Sequence, residues 1–173
     1  SSDDFLLDPA RCIREAEMRP GAMTRLPEKY TIAFTSYSGG TGKTTLALDT
    51  ALHFARQTEK HLRAKLPVML VEFTYGASAL AAILGLDMPH LYDLATQMDL
   101  EPTSFRGVTV IPMDYDNCRL LSVDLLKRYL KRQMANHVLT IVDALWPHGL
   151  ISAVDEDVDR WLIVATPRLD AIE

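Results

Sequence analysis

The stretch that most narrows what this chain can fold into is YTIAFTSYSGGTGKTTLALDTALHFA, residues 30–55. A β-branched apolar run gives way to three glycines within four residues, then to Lys43, Thr44, Thr45 and a helix-forming sequence. A strand that turns through glycine straight into a helix N-terminus points several backbone N–H groups at one spot. The helix dipole adds positive potential beneath them. Gly39, Gly40 and Gly42 permit that tight wrap and the left-handed φ values it demands. Such a concavity suits a nucleotide's phosphates. Ser38 and Thr41 complete the loop, Lys43 is placed to reach the β- and γ-phosphates, Thr44 to coordinate Mg²⁺, and Thr45 to contact the α-phosphate. The ordinary pattern G-x-x-x-x-G-K-S/T has glycine where Tyr37 stands, so the loop is a variant of that pattern or a relic of it.

The rest of the chain supplies the frame such a loop needs. Apolar runs at 30–37, 67–73, 107–113, 137–143 and 160–167 read as five strands. Helical periodicity fills the intervals, most clearly at 43–61 and in the amphipathic segment LLSVDLLKRYLKRQM at 120–134. Strands alternating with helices imply right-handed crossovers. The expected fold is α/β, a mostly parallel central sheet with helices on both faces. Residues 1–29 read as a leader or interdomain linker with one short helix around ARCIREAEM, and 30–173 as the folded domain.

Composition excludes several classes. A formal net charge of −5 argues against a nucleic-acid partner, and Lys127, Arg128, Lys131 and Arg132 read as the solvated side of an amphipathic helix. The two cysteines, Cys12 and Cys118, lie far apart and lack C-x-x-C spacing. A disulfide framework, a zinc site or an iron–sulfur centre is therefore not expected. No apolar run approaches the roughly 20 residues of a membrane span, and SSDDFLLDPA lacks the features of a signal peptide, so a cytoplasmic location is expected.

The loop G-G-x-G-K-S/T with its first glycine shifted resembles the deviant Walker A motif of the MinD/ParA ATPases, P-loop proteins of partitioning and positioning. The likeness runs from about Tyr30 to Glu173. VMLVEFTYGASALAAILGL is similar to the family's second strand and following helix, and LYDLA to its next short helix. HVLTIVDAL resembles the strand ending in the switch II aspartate, here Asp143, and WLIVATPRLDAIE the later strand ending in a Thr/Asn-Pro turn. Within the family the sequence looks closest to the CpaE/TadZ branch, which helps localise pilus-assembly and secretion machinery. The resemblance implies ATP and Mg²⁺ as ligands, with Lys43, Thr44 and Asp143 forming the metal–phosphate site. It also implies a homodimer in the nucleotide-bound state, partners in a pilus, secretion or positioning system, and recruitment to a pole or the inner membrane. It implies further C-terminal elements beyond Glu173 as well, carrying adenine contacts and part of the dimer face.

Three family groups are altered. The lysine that opens K-G-G-x-G-K-T and reaches across the dimer is Ser38, which brings no charge to the transition state. The D-x-D pair ending the second strand is Glu72 and Thr74. Glu72 keeps a carboxylate near the phosphates, while Thr74 cannot serve as a general base at neutral pH, a loss worth about two to four orders of magnitude in rate. The resulting expectation is a nucleotide-dependent localisation switch with slow hydrolysis, in which Lys43, Asp143 and Glu72 are the candidate catalytic groups. The alternative is a non-hydrolysing scaffold with a degenerate site. Other readings of the carboxylates remain open: Asp143 as a strand-end cap, Glu72 facing solvent or paired with a base.

Overall fold

The computed structural model describes residues 29–62, 65–85, 87, 89–97 and 99–165. The expected leader helix near 10–18 and the Thr166–Pro167 turn lie outside the described residues. Within them the chain forms β1 (Tyr30–Ser36), α1 (Lys43–Leu62), β2 (Val68–Phe73), α2 (Ala79–Leu84), α3 (Leu91–Thr96), β3 (Thr103–Phe105) and β4 (Val108–Ile111). Then come α4 (Tyr115–Cys118), α5 (Val123–Ala135), β5 (Leu139–Leu145), 3-10 turns at Ile151–Ala153 and Asp155–Asp157, and β6 (Arg160–Ile163).

The strands make one six-stranded sheet in the order β3-β4-β2-β5-β1-β6. All neighbours are parallel except β3 and β4. β5 lies between β1 and β2, so the loops leaving β1 and β2 bracket the end of β5. That is the switch point at which open α/β sheets hold ligands. The pairing register places Asp143 of β5 beside both Phe34 of β1 and Glu72 of β2.

Side chains alternate between two cores. Phe34, Val68, Leu70, Val108, Val110 and Ile141 pack with Ala47, Leu48 and Ala51 of α1. Met69, Val71, Phe73, Ile111 and Val142 pack with Leu94 of α3 and Leu126 and Leu130 of α5. The sheet is thus covered on both faces, as the unbroken apolar strands imply. On α1 the stripe Lys43, Ala47, Ala51 faces the sheet, each residue at most 9% exposed. Two alanines let the helix approach closely, and the same stripe carries Lys43 to the sheet's edge.

Two elements differ from the sequence reading. β3 is a sixth strand not foreseen, three residues long and joined to β4 by the two-residue turn Arg106-Gly107. Its brevity hides any period-2 pattern. β6, read as a buried strand, is exposed at all four positions, because it is an edge strand paired only with β1. In the β3–β4 turn both residues have positive φ, 50° for Arg106 and 84° for Gly107, the geometry of a type I′ hairpin. A left-handed residue with a Cβ costs about 1–2 kcal/mol. The Arg106 guanidinium recovers part of this over the Phe105 ring, 5.3 Å from its centroid. Arg106→Asn is therefore expected to raise stability by about 0.5–1 kcal/mol, read as a higher urea midpoint.

Candidate functional site

The loop between β1 and α1 opens onto a cavity of about 260 Å³. Every loop residue the sequence points to, Ser38 through Thr45, lines it, together with Glu72 and Thr74 from the end of β2. Gly40 and Gly42 have φ of 73° and 80°, so the turn there requires glycine. Gly39 lies outside the left-handed region, contrary to the expectation for all three glycines. Tyr37 points away, 71% exposed, and does not obstruct the loop. The first turn of α1 closes with Leu46 N–H donating to the Gly42 carbonyl at 3.0 Å, which leaves the preceding N–H groups for a ligand.

Lys43, which lines this cavity, meets Asp143, one hundred residues away in the chain; Asp143 lies behind the lysine and does not itself line the cavity. The Lys43 ammonium donates to Asp143 Oδ1 in a buried ion pair. Asp143 is 1% exposed, and its other oxygen, Oδ2, has no hydrogen-bond partner among the described residues. A buried carboxylate oxygen without a donor is a costly arrangement that a cation or a bound water relieves. The residues therefore fit Mg²⁺ in a particular way. Asp143 Oδ2 and the Thr44 hydroxyl are the protein oxygens that could hold it, and the remaining ligands would come from phosphate and water. Among the described residues no group of three or more His, Cys, Asp or Glu could hold a metal by itself. Cys118 is buried, and desolvation pushes its thiol up to about 12, consistent with a structural role.

Glu72 lines the cavity but is already engaged. Its carboxylate accepts four hydrogen bonds: the Ser78 hydroxyl on Oε2, Ala79 N–H at 3.0 Å and Leu80 N–H at 3.2 Å on Oε1, and Met113 N–H at 3.3 Å on Oε2. Ser78 is the N-cap of α2, its Oγ accepting from Ala81 N–H at 2.8 Å. Glu72 thus ties the end of β2 to the start of α2 and to the segment after β4. It neither faces solvent nor pairs with a base, as the alternative reading of the sequence had it. Burial pushes its pKa up, the Ser78 and Met113 bonds oppose the shift, and the nearby Asp143 charge adds to it.

The sequence reading missed a cluster beside Thr74. The His148 ring is 5.7 Å from Phe73 and 4.5 Å from Tyr75, whose ring in turn lies 5.1 Å from Tyr115. The Tyr75 hydroxyl donates to the Pro147 carbonyl at 2.6 Å, and His148 Nε2 donates to the Thr74 carbonyl at 3.1 Å. These contacts bind the loop after β2 to the loop after β5. The available signal was an aromatic residue just past each strand, in TYG and WPHG. His148 Nδ1 accepts from Leu150 N–H at 3.2 Å, so the ring is the neutral Nε2–H tautomer. Desolvation lowers its pKa, and the Thr74 bond opposes this. Below the ordinary histidine value of about 6.5 the unfolded chain therefore binds the proton more readily than the native one. Stability contributed by neutral His148 is present above that pH and is lost as pH falls. The urea midpoint is expected to drop between pH 7.5 and 5.5, and to drop less in His148→Gln.

No protein-family model and no curated protein matches the sequence. Solved structures do. A ParA family ATPase from Chlorobium tepidum TLS superposes with a TM-score of 0.66 at 19% identity, over 83% of this chain and 63% of that one. The septum site-determining protein MinD with Mg-ADP, from Pyrococcus horikoshii OT3, gives 0.61 at 20% identity, over 82% and 60%. Cobyrinic acid a,c-diamide synthase from Mycobacterium smegmatis, with an ATP analog and magnesium, gives 0.61 at 18%, over 79% and 60%. The fold is that of the ParA/MinD-type P-loop ATPases. The chain spans about three fifths of the length of these neighbours. Among the described residues no helix is long and apolar enough to cross a membrane.

Proposed function

We propose that the chain binds Mg²⁺-ATP at residues 38–45 and acts as a nucleotide-dependent localisation or assembly switch of the MinD/ParA type, with slow hydrolysis. The observation that carries this reading is the buried Lys43–Asp143 pair at the base of the loop, with Asp143 Oδ2 unpartnered among the described residues. Without nucleotide, Lys43 satisfies Asp143. With a triphosphate in the loop, Lys43 has phosphate oxygens to serve instead, and Asp143 is released to help hold the metal. The bound ligands of neighbours with this fold, Mg-ADP in one and an ATP analog with magnesium in another, support the choice of nucleotide and ion. Mg²⁺ would supply charge neutralisation at the phosphates.

What this chain brings to hydrolysis is limited. Thr74 stands where a water-positioning carboxylate is needed, Ser38 where a lysine would be, and all four of Glu72's hydrogen bonds are internal. Glu72 accordingly positions α2 at the cavity mouth rather than acting as the base. A cytoplasmic protein that dimerises with ATP and serves a pilus, secretion or positioning system, in the manner of the CpaE/TadZ branch, completes the proposal. The second reading, a scaffold that binds nucleotide without turning it over, is favoured by Ser38 and Thr74. Steady-state ATPase assays and sedimentation velocity with and without Mg-ATP separate the two. A switch shows slow turnover and an ATP-dependent dimer, and a scaffold shows neither. Ser38→Lys/Thr74→Asp is expected to raise turnover at least about tenfold. An unchanged rate would contradict this account of the missing groups.

A further inference from the structure

On the sheet face opposite α1, helix α5 carries four basic residues, and the fold sorts them into two pairs. Lys127 donates to Glu156 at 2.6 Å, and Lys131 lies 3.8 Å from Asp157, so the 3-10 turn at Asp155–Asp157 neutralises this pair. Arg128 and Arg132, one turn apart on the adjoining stripe, are exposed and form no ion pair among the described residues. They border a cavity of about 440 Å³ whose other walls are Ala95 of α3, Leu125 and Tyr129. The Arg132 guanidinium lies over the Tyr129 ring, 5.7 Å from its centroid. Tyr129 is 4% exposed, yet its hydroxyl has no hydrogen-bond partner among the described residues. A buried hydroxyl left without a partner is uncommon in a folded chain and marks a wall that a polar ligand can complete. Glu101 is the acidic group whose field reaches Tyr129, and it pairs with neither arginine.

We propose that this cavity between α3 and α5 is the docking site for an acidic segment of a partner protein. A carboxylate would be held by Arg128 and Arg132, with a neighbouring apolar side chain seated against Ala95, Leu125 and Tyr129. Charge complementarity carries the choice of occupant. In a chain of net charge −5, two uncompensated guanidinium groups beside apolar walls are a local exception. Guanidinium is weakly hydrated and matches carboxylates in a planar fork, which suits it to an interface. A bilayer or a nucleic-acid backbone calls for an extended basic face, and half of this helix's charge is already spent on Glu156 and Asp157. The α5 residues of the site run from Leu125 to Arg132, across the middle of the helix. None of its lining residues lines the cavity at the phosphate loop, so its occupation leaves the nucleotide cavity open.

The test is fluorescence anisotropy of the full chain with a fluorescein-labelled peptide of alternating leucine and glutamate. The same peptide with lysine for glutamate, phosphatidylglycerol vesicles and duplex DNA are the comparison ligands. Saturable binding of the acidic peptide is expected, weakened at least about tenfold in Arg128→Ala/Arg132→Ala and by less than about twofold in Lys127→Ala/Lys131→Ala. Arg128→Lys/Arg132→Lys, which keeps charge and helix propensity, is expected to fall between wild type and the alanine pair. Absence of saturable binding, equal losses in the arginine and lysine variants, or tighter binding of vesicles or DNA than of peptide would each overturn the proposal.

Discussion

Lys43→Ala is expected to abolish nucleotide binding and, in the same step, to cost about 3–5 kcal/mol of stability. Both effects come from one atom. In the proposed function the Lys43 ammonium is the cation the loop offers to phosphate, and in the structure it is the counter-charge of Asp143, which is 1% exposed. Removing it leaves a buried carboxylate with one oxygen newly unpaired and the other, Oδ2, already without a partner among the described residues. The two roles separate in Lys43→Ala/Asp143→Asn. Neutralising the stranded carboxylate is expected to recover most of the stability, while nucleotide binding stays lost. Urea denaturation gives the first quantity and titration calorimetry the second. Coupling of more than about 1 kcal/mol in this double-mutant cycle shows that the pair acts as a unit. A stable Lys43→Ala would mean that Asp143 finds another partner.

Glu72→Ala is the second large effect, and it bears on stability. The substitution strands the N–H groups of Ala79, Leu80 and Met113 and the Ser78 hydroxyl, which together tie α2 and the segment after β4 to the end of β2. An unmet buried donor costs about 1–3 kcal/mol, and water from the adjoining cavity repairs some of them, so a net loss of about 3–5 kcal/mol is expected. Glu72→Gln keeps one carbonyl oxygen for Ala79 and Leu80 and should lose only about 1–2 kcal/mol. It also tests role directly. For a carboxylate occupied by internal donors, ATP turnover per folded molecule should stay within about threefold of wild type, whereas a true general base would cost about a hundredfold or more.

These residues show why some of the molecule is legible in sequence and some is not. The sheet was readable because its central strands are buried on both faces and so are written as unbroken apolar runs, VMLVEF in β2 and LTIVDAL in β5. The phosphate loop was readable because its geometry forces local chemistry: Gly40 and Gly42 occupy φ values that few other residues tolerate. What the sequence could not disclose was partnership across the chain. Lys43 and Asp143 were both expected at the site, but their mutual pairing depends on β5 lying between β1 and β2, a consequence of topology. Glu72 was assigned by its place in a motif, while its role is set by donors at 78–80 and 113 that no local pattern connects to it. His148 sits in a loop with no periodicity at all. β6 misled in the opposite direction, since WLIV reads as core but occupies an edge.

The central claim is that this loop holds a Mg²⁺-triphosphate more readily than it cleaves one. Titration calorimetry of the full chain with ATP, in Mg²⁺ and then in EDTA, tests it most directly when paired with phosphate release in the same sample. Micromolar, Mg²⁺-dependent binding with turnover slower than about one per minute is the predicted result. Absence of ATP binding in Mg²⁺, or turnover as fast as an ordinary enzyme's roughly ten per second, would contradict the account.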